Sequence, residues 1–313
     1  MKKNVLMTRM LPATLVAQLS EHCHLLGPLN VMDGSGLPTG AESAEVLLTM
    51  SSIPTSRTLI DALPNLKLVC CYGSGIEFVD ADYLQQKGIA LTNAAGTNAV
   101  SVAEFTLGLM LASNRQILAS DHFLRSGKWL GNSVERYPLA SGLQGKRIGI
   151  YGLGEIGRQI ARLAQAFQMT VGYHSRSQKT DDYHYCASIE SLAEWADIMV
   201  VAARGMPENY HVINADILRL LGIDGCLINI ARGMLVDENA LCAALEKGEL
   251  AGAALDVYEF EPDISARLLA APNLLLTPHI AANTGSAQHA QQQRMLENVI
   301  RYFGDSPLIG RVV

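Results

Sequence analysis

At 313 residues the chain has room for two domains of ordinary size, and with 49% hydrophobic residues it can bury a large core. Its formal charge of −6, from 24 basic and 30 acidic residues and without any basic run, argues against nucleic acid and anionic membrane as partners. The apolar stretch after Met1-Lys2-Lys3 is broken by Thr8, Arg9 and Pro12, and no run reaches transmembrane length, so a cytoplasmic protein without a signal peptide is expected.

In the first part, apolar runs at Val5–Thr8, Val46–Met50, Leu66–Tyr72 and Ile89–Asn93 read as strands. Helices fit near Pro12–Glu21, Ser56–Ala62 and Ala81–Lys87, which makes one small α/β unit. His22-Cys23-His24 sits at the end of the first helix, where adjacent side chains diverge, so a solvated helix end is expected rather than a metal site. None of the six cysteines forms a CxxC pair, and Cys70, Cys71 and Cys226 lie in apolar runs; buried free thiols in a reducing compartment are expected. Asn98 to Leu124 is a long helical pattern, apolar on nearly every face through Val100, Val102, Phe105, Leu107, Leu109, Met110 and Leu111. Such a helix needs cover on all sides, either by crossing between domains or by packing on a second subunit. Gly131 to Gly142 lacks periodicity and reads as an exposed loop.

The second part opens on the most specific signal. Arg147–Tyr151 reads as a buried strand, Gly152-Leu153-Gly154-Glu155-Ile156-Gly157 follows, then an apolar-periodic helix and a second strand, Thr170–Tyr173. A GxGxxG in this strand–helix–strand context is a dinucleotide-binding fingerprint. Gly152 permits the turn, Gly154 lets a pyrophosphate approach, and Gly157 lets the helix pack on the strand. The helix N-terminus offers free N–H groups to phosphate. A carboxylate at the end of the second strand would favour NAD; this chain has His174-Ser175-Arg176-Ser177 there and no acid before Asp181. That suits a 2′-phosphate, so NADPH is the expected cofactor, with NADH a weaker substitute.

Further strands at Asp197–Ala202, Cys226–Ile230, Gly252–Asp256 and Leu274–Leu276 bring the expected parallel sheet to six strands, and a last helix spans roughly Ser286 to Phe303. In such a sheet the C-terminal strand ends line the ligand crevice. Three successive ends carry Arg232, a carboxylate (Asp256, then Glu261 in the loop) and His279. Hydride transfer to a 2-oxo acid needs such a set. His279 would protonate the carbonyl oxygen, Glu261 would hydrogen-bond the imidazole, and Arg232 would hold the substrate carboxylate.

With these stretches the chain resembles the D-isomer-specific 2-hydroxyacid dehydrogenases, over essentially its whole length. The resemblance is carried by the segments 145–157, 227–233 (Leu-Ile-Asn-Ile-Ala-Arg-Gly), 256–262 (Asp-Val-Tyr-Glu-Phe-Glu-Pro) and 277–281 (Thr-Pro-His-Ile-Ala). It implies a two-domain α/β fold: a Rossmann-type dinucleotide-binding domain, residues 99–285, inserted in a smaller flavodoxin-like substrate domain built from 1–98 and 286–313. It implies a homodimer through the cofactor domain. The cofactor set becomes Gly152, Gly154, Glu155, Ile156, Gly157, His174, Ser175, Arg176, Ser177, Ala231 and Asp256. Substrate would meet Met50, the Gly73-Ser74-Gly75 loop, Arg232 and His279, with no metal. Met50 is apolar where a phosphorylated substrate would want a base, and Glu261 departs from the glutamine of formate dehydrogenases. Within the family, His174-Ser175-Arg176-Ser177 is similar to NADPH-preferring glyoxylate and hydroxypyruvate reductases. The expected activity is reduction of a small 2-oxo acid to the D-2-hydroxy acid. Alternatives are a reductase of a bulkier acid such as 2-ketogluconate, or a dinucleotide-sensing binding protein.

Overall fold

The computed structural model describes residues 2–129 and 139–313. Contacts divide the chain into two units, one of Met1–Asn98 with Thr284–Val313 and one of Ala99–Asn283.

The first unit is built on five parallel strands: β1 (Asn4–Met7), β2 (His24–Leu26), β3 (Val46–Met50), β4 (Leu68–Tyr72) and β5 (Ala90–Thr92). Their order is β2-β1-β3-β4-β5. Every residue of β4 is buried, as befits an inner strand covered on both faces. Helices α1 (Ala13–His22), α2 (Arg57–Asp61) and α3 (Ala81–Gln86) make the crossovers; Ser56 and Asp80 cap the last two by accepting from Leu59 and Tyr83 amides. A helix at Gly285–Phe303 belongs to this unit because Met295, Leu296 and Val299 pack with Val5, Leu48 and Leu68. The tail after it pairs with β5: the Leu91 amide donates to Val313, and Val312 donates back to Leu91.

Two expectations need correction in this unit. β2 was not expected, and it changes the reading of His22-Cys23-His24. The helix stops at His22, Cys23 is its buried C-cap, and His24 opens the strand.

The second unit begins with α4 (Ala99–Asn114) and α5 (Ile117–Arg125). Then follow β6 (Arg147–Tyr151), α6 (Glu155–Ala166), β7 (Thr170–His174), β8 (His184–Tyr185), α7 (Ile189–Trp195), β9 (Ile198–Val201), α8 (Ala215–Leu221), β10 (Cys226–Asn229), α9 (Glu238–Glu246), β11 (Gly252–Leu255), α10 (Ala266–Ala270) and β12 (Leu274–Leu276). All strands are parallel, in the order β12-β11-β10-β9-β6-β7-β8. The chain lays β7 and β8 on one side of β6, then returns to add β9 to β12 on the other. The reversal between β6 and β9 is the switch point where doubly wound sheets bind ligands, outside the strands' C-terminal ends.

The six expected strands are present, and β8 is a seventh among the described residues. The single long helix expected from Asn98 is in fact two. Gln116 adopts a left-handed conformation (φ 51°) and turns the chain between α4 and α5. α4 buries Val102, Ala103, Leu107 and Met110 against Ile148, Ile160 and Ile228 of its own unit. α5 has no buried residue, and Ile117, Leu118 and Leu124 are each more than half exposed. Of the loop expected at Gly131 to Gly142, residues 131–138 lie outside the described residues, and 139–142 are exposed. Among the described residues no helix is long and apolar enough to cross a membrane.

Candidate active site

At the end of β6 the three glycines hold three different environments. Gly152 has φ 104°, and a Cβ there would lie 2.5 Å from the Ala203 nitrogen in the loop after β9. A Cβ on Gly157 would lie 2.3 Å from the Gly152 carbonyl oxygen, so the helix packs as close to the strand as glycine allows. Around Gly154 the space is open. Gly154 and Glu155 are exposed, Ile156 is half-buried against the core, and α6 starts with its free amides there. The donor set and the open space beside Gly154 fit a dinucleotide pyrophosphate.

The loop after β7 is folded back by Tyr173, whose buried phenol oxygen accepts the Lys179 amide at 2.8 Å. Ser175 Oγ donates to the Ser177 carbonyl (2.8 Å), and Lys179 Nζ donates to Ser177 Oγ (3.2 Å). Arg176 is exposed beside them. Asp181, the nearest acid along the chain, is neutralised by Arg158, which bonds both carboxylate oxygens at 3.0 Å. That guanidinium holds the Asp181 carboxyl below the usual carboxylate range. His174 was expected in the phosphate set; in the structure one of its ring nitrogens is engaged by the backbone. Nδ1 donates to the Cys186 carbonyl (2.9 Å), and the imidazole stacks on Tyr151 at 6.0 Å, with Tyr185 on the other side.

Past the ends of β10, β11 and β12, which are neighbours in the sheet, stand the residues expected to do chemistry. Asn229 shapes the first turn: its Oδ1 accepts the Ala231 amide (3.1 Å) and its Nδ2 donates to the Arg232 carbonyl (3.0 Å). Ala231 is buried, and Arg232 Nη1 donates to its carbonyl at 2.6 Å. The Arg232 stem lies over Gly205, where a Cβ would come within 3.2 Å of Cγ.

Glu261 and His279 are in direct contact. His279 Nδ1 lies 2.7 Å from Glu261 Oε2, and Glu261 Oε1 accepts the Tyr258 amide at 2.9 Å. His279 has φ 52°, a left-handed backbone that a non-glycine residue holds only where its surroundings fix it. Asp256 does much of that fixing. It is 1% exposed; Oδ1 accepts Thr277 Oγ1 (2.6 Å) and the Ile280 amide (2.9 Å), and Oδ2 accepts the Ala281 amide (2.8 Å). Asp256 was expected as a cofactor contact; in the structure its carboxylate serves the loop that carries His279. Asn229, Tyr258 and Thr277 were not singled out from the sequence.

The remaining substrate candidates lie in the first unit. Gly73 has φ 107°, and a Cβ there would lie 2.6 Å from Ser51 Oγ. Asn93 Nδ2 donates to the Ser74 carbonyl (2.7 Å), and the Gly75 carbonyl accepts from Cys71 Sγ (3.3 Å). With these carbonyls engaged, the turn is held rigid behind the half-buried Ser74; Met50 ends β3 beside it, paired with Tyr72 in the sheet.

Comparison with known proteins agrees with this geometry. Residues 107–281 match the model of the D-isomer specific 2-hydroxyacid dehydrogenase NAD binding domain. A glyoxylate/hydroxypyruvate reductase of Arabidopsis thaliana is 36% identical over 279 residues, 89% of this chain and 86% of its own. A 2-ketogluconate reductase of Gluconobacter oxydans is 36% identical over 266 residues, 84% of each chain. The crystal structure of an NADPH-dependent glyoxylate/hydroxypyruvate reductase from Sinorhizobium meliloti, in complex with NADP and malonate, superposes with a TM-score of 0.90 at 30% identity, covering 100% of this chain and 97% of that one. With more than half its length matched by the family model and relatives 36% identical over most of it, the chain belongs to the D-isomer-specific 2-hydroxyacid dehydrogenases and is a 2-oxo acid reductase.

Proposed function

We propose that the protein reduces a small 2-oxo acid of the glyoxylate and hydroxypyruvate type to the D-2-hydroxy acid, with NADPH preferred over NADH. The observation that carries the reading is the His279–Glu261 pair at 2.7 Å, which joins the segments after β12 and β11, and β11 lies beside β10, the strand that leads to Arg232. A carboxylate only accepts, so the shared proton sits on Nδ1 and Nε2 is left for substrate; in the imidazolium form Nε2 carries the proton that the carbonyl oxygen takes up. A bound nicotinamide supplies the hydride. Gly152, Gly154, Gly157 and the first turn of α6 would hold its pyrophosphate, and Ser175, Arg176 and Ser177 the 2′-phosphate. Arg232 binds the substrate carboxylate and draws charge from the carbonyl as His279 gives up its proton.

The Arabidopsis and Sinorhizobium relatives support the small substrate, and the latter supports NADPH. The 2-ketogluconate reductase supports a second reading, a bulkier acid at the same site. Turnover measured over a panel of 2-oxo acids with each cofactor separates them; absence of turnover with every acid would favour a dinucleotide-sensing protein instead. A homodimer is part of the proposal, because the apolar side chains of α5 need a partner surface and a second copy of α5 is an apolar match. The six cysteines are all free and buried, which supports a cytoplasmic location.

A further inference from the structure

We propose that Tyr258 is a positioning residue that ties the three strand ends bearing Arg232, Glu261 and His279 into one fixed arrangement, an inference that rests on the reductase reading above. Three separate contacts point to it. First, its backbone amide donates to Glu261 Oε1 at 2.9 Å, which turns Oε2 toward His279 Nδ1. Second, its phenol oxygen lies 2.8 Å from the Thr277 carbonyl and 3.2 Å from that of Leu255. A phenol has one proton to give, and the nearer carbonyl takes it. The His279 amide donates to that same Thr277 carbonyl at 3.0 Å, so the phenol and the left-handed histidine meet on one acceptor. Third, the Tyr258–Glu259 peptide is pressed against Gly233, the residue after Arg232. A Cβ on Gly233 would lie 1.8 Å from the Tyr258 carbonyl carbon.

Tyr258 is 6% exposed, and burial pushes its phenol up to about 12, so the Thr277 bond keeps its proton throughout any working pH. The phenol is out of reach of solvent and holds the backbone just before His279, while the Tyr258 backbone itself holds Glu261 and packs on the residue after Arg232. Such a residue acts by geometry: a catalytic group displaced by about 1 Å can lose a hundredfold in rate.

Tyr258→Phe keeps the ring and removes only the hydroxyl. We expect kcat to fall roughly tenfold, about the worth of one lost hydrogen bond, with the Kd for NADPH within about twofold of wild type. We also expect the isotope effect on kcat with NADPH deuterated at the transferred position to rise, because the chemical step becomes slower. Wild-type kcat and isotope effect, with or without a lower Tm, would reduce Tyr258 to a structural brace and overturn the proposal. His279→Ala, assayed alongside, separates the two levels. If it is inactive while Tyr258→Phe turns over normally, only the present inference fails. If it turns over normally, the reductase reading fails and this inference with it.

Discussion

His279 Nδ1 and Glu261 Oε2 lie 2.7 Å apart, and the other oxygen of that carboxylate is already taken by the Tyr258 amide. The carboxylate therefore cannot rotate freely to water, and the imidazole is held with Nε2 outward. His279→Ala should lower kcat by about 10²–10⁴-fold while NADPH still binds, as fluorescence titration would report. Glu261→Gln should lower kcat as well, because a carboxamide can turn its NH₂ toward Nδ1 and release the ring. Wild-type turnover in the histidine variant would sink the assignment.

Gly154 separates binding from folding. Its Cβ position is open in the protein alone, and its φ is negative, so alanine fits without strain. If a pyrophosphate lies there, Gly154→Ala should leave Tm unchanged and weaken the cofactor by more than about tenfold. Gly157→Ala, whose Cβ would lie 2.3 Å from the Gly152 oxygen, should lower both. Full cofactor affinity in Gly154→Ala would show that the phosphates take another path.

On the proposed reading, cofactor choice should depend on two arginines. Arg176→Ala should reduce kcat/KM for NADPH by about ten- to a hundredfold and change NADH little, since a hydrogen bond to a charged group is worth roughly 1.5–3 kcal/mol. Arg158→Ala should act in the same direction by leaving the Asp181 carboxylate unpaired near the loop. Equal losses with both cofactors, in either variant, would contradict the reading of this loop.

Asp197 makes a pH-dependent contribution to stability. Arg147 donates to it from both its amide and its guanidinium, at 2.8 Å each, joining the starts of β6 and β9. Partial burial raises the Asp197 carboxyl, but the Arg147 bonds outweigh it and the net direction is down. A lowered folded value means stability present above the ordinary carboxylate pKa and lost as pH falls through the folded one. Asp197→Asn should therefore lower Tm at pH 7 by about 2–4 °C, roughly 1 kcal/mol, and by progressively less below pH ~4. An equal drop at pH 3 would mean that the charge is not what stabilises.

For the assembly, light scattering at micromolar concentration should show twice the chain mass, and replacing Leu118 and Leu124 by glutamate should give the monomer. A wild-type monomer would overturn the dimer.

The strands that were legible in the sequence are those buried on both faces, such as β9 and β10, because a parallel sheet under two helical layers leaves a run of apolar residues. β8 and β2 were not, since His184-Tyr185 and His24-Leu25-Leu26 are short and partly exposed at sheet edges. The break between α4 and α5 has no glycine or proline to announce it. Instead the polar run Ser113-Asn114-Arg115-Gln116 interrupts the apolar pattern, and Gln116 adopts a left-handed conformation at its end. At the site, the side chains proposed to do chemistry, Arg232 and His279, were picked out by their places after strand ends. Asp256 and Tyr258 could not be read in that way, because their roles lie in which backbone groups they hold. Nor does adjacency to Ser175 say that the His174 ring bonds the Cys186 carbonyl through Nδ1.

The first unit is discontinuous, and this orders its birth. Ala99–Asn283 is a single stretch with its own sheet, and all of it is synthesised before the closing helix. The unit that starts first must wait for Met295, Leu296 and Val299 to cover β1, β3 and β4, and for residues 312–313 to pair with Leu91. Until then the sheet of the first unit lacks the cover of that helix.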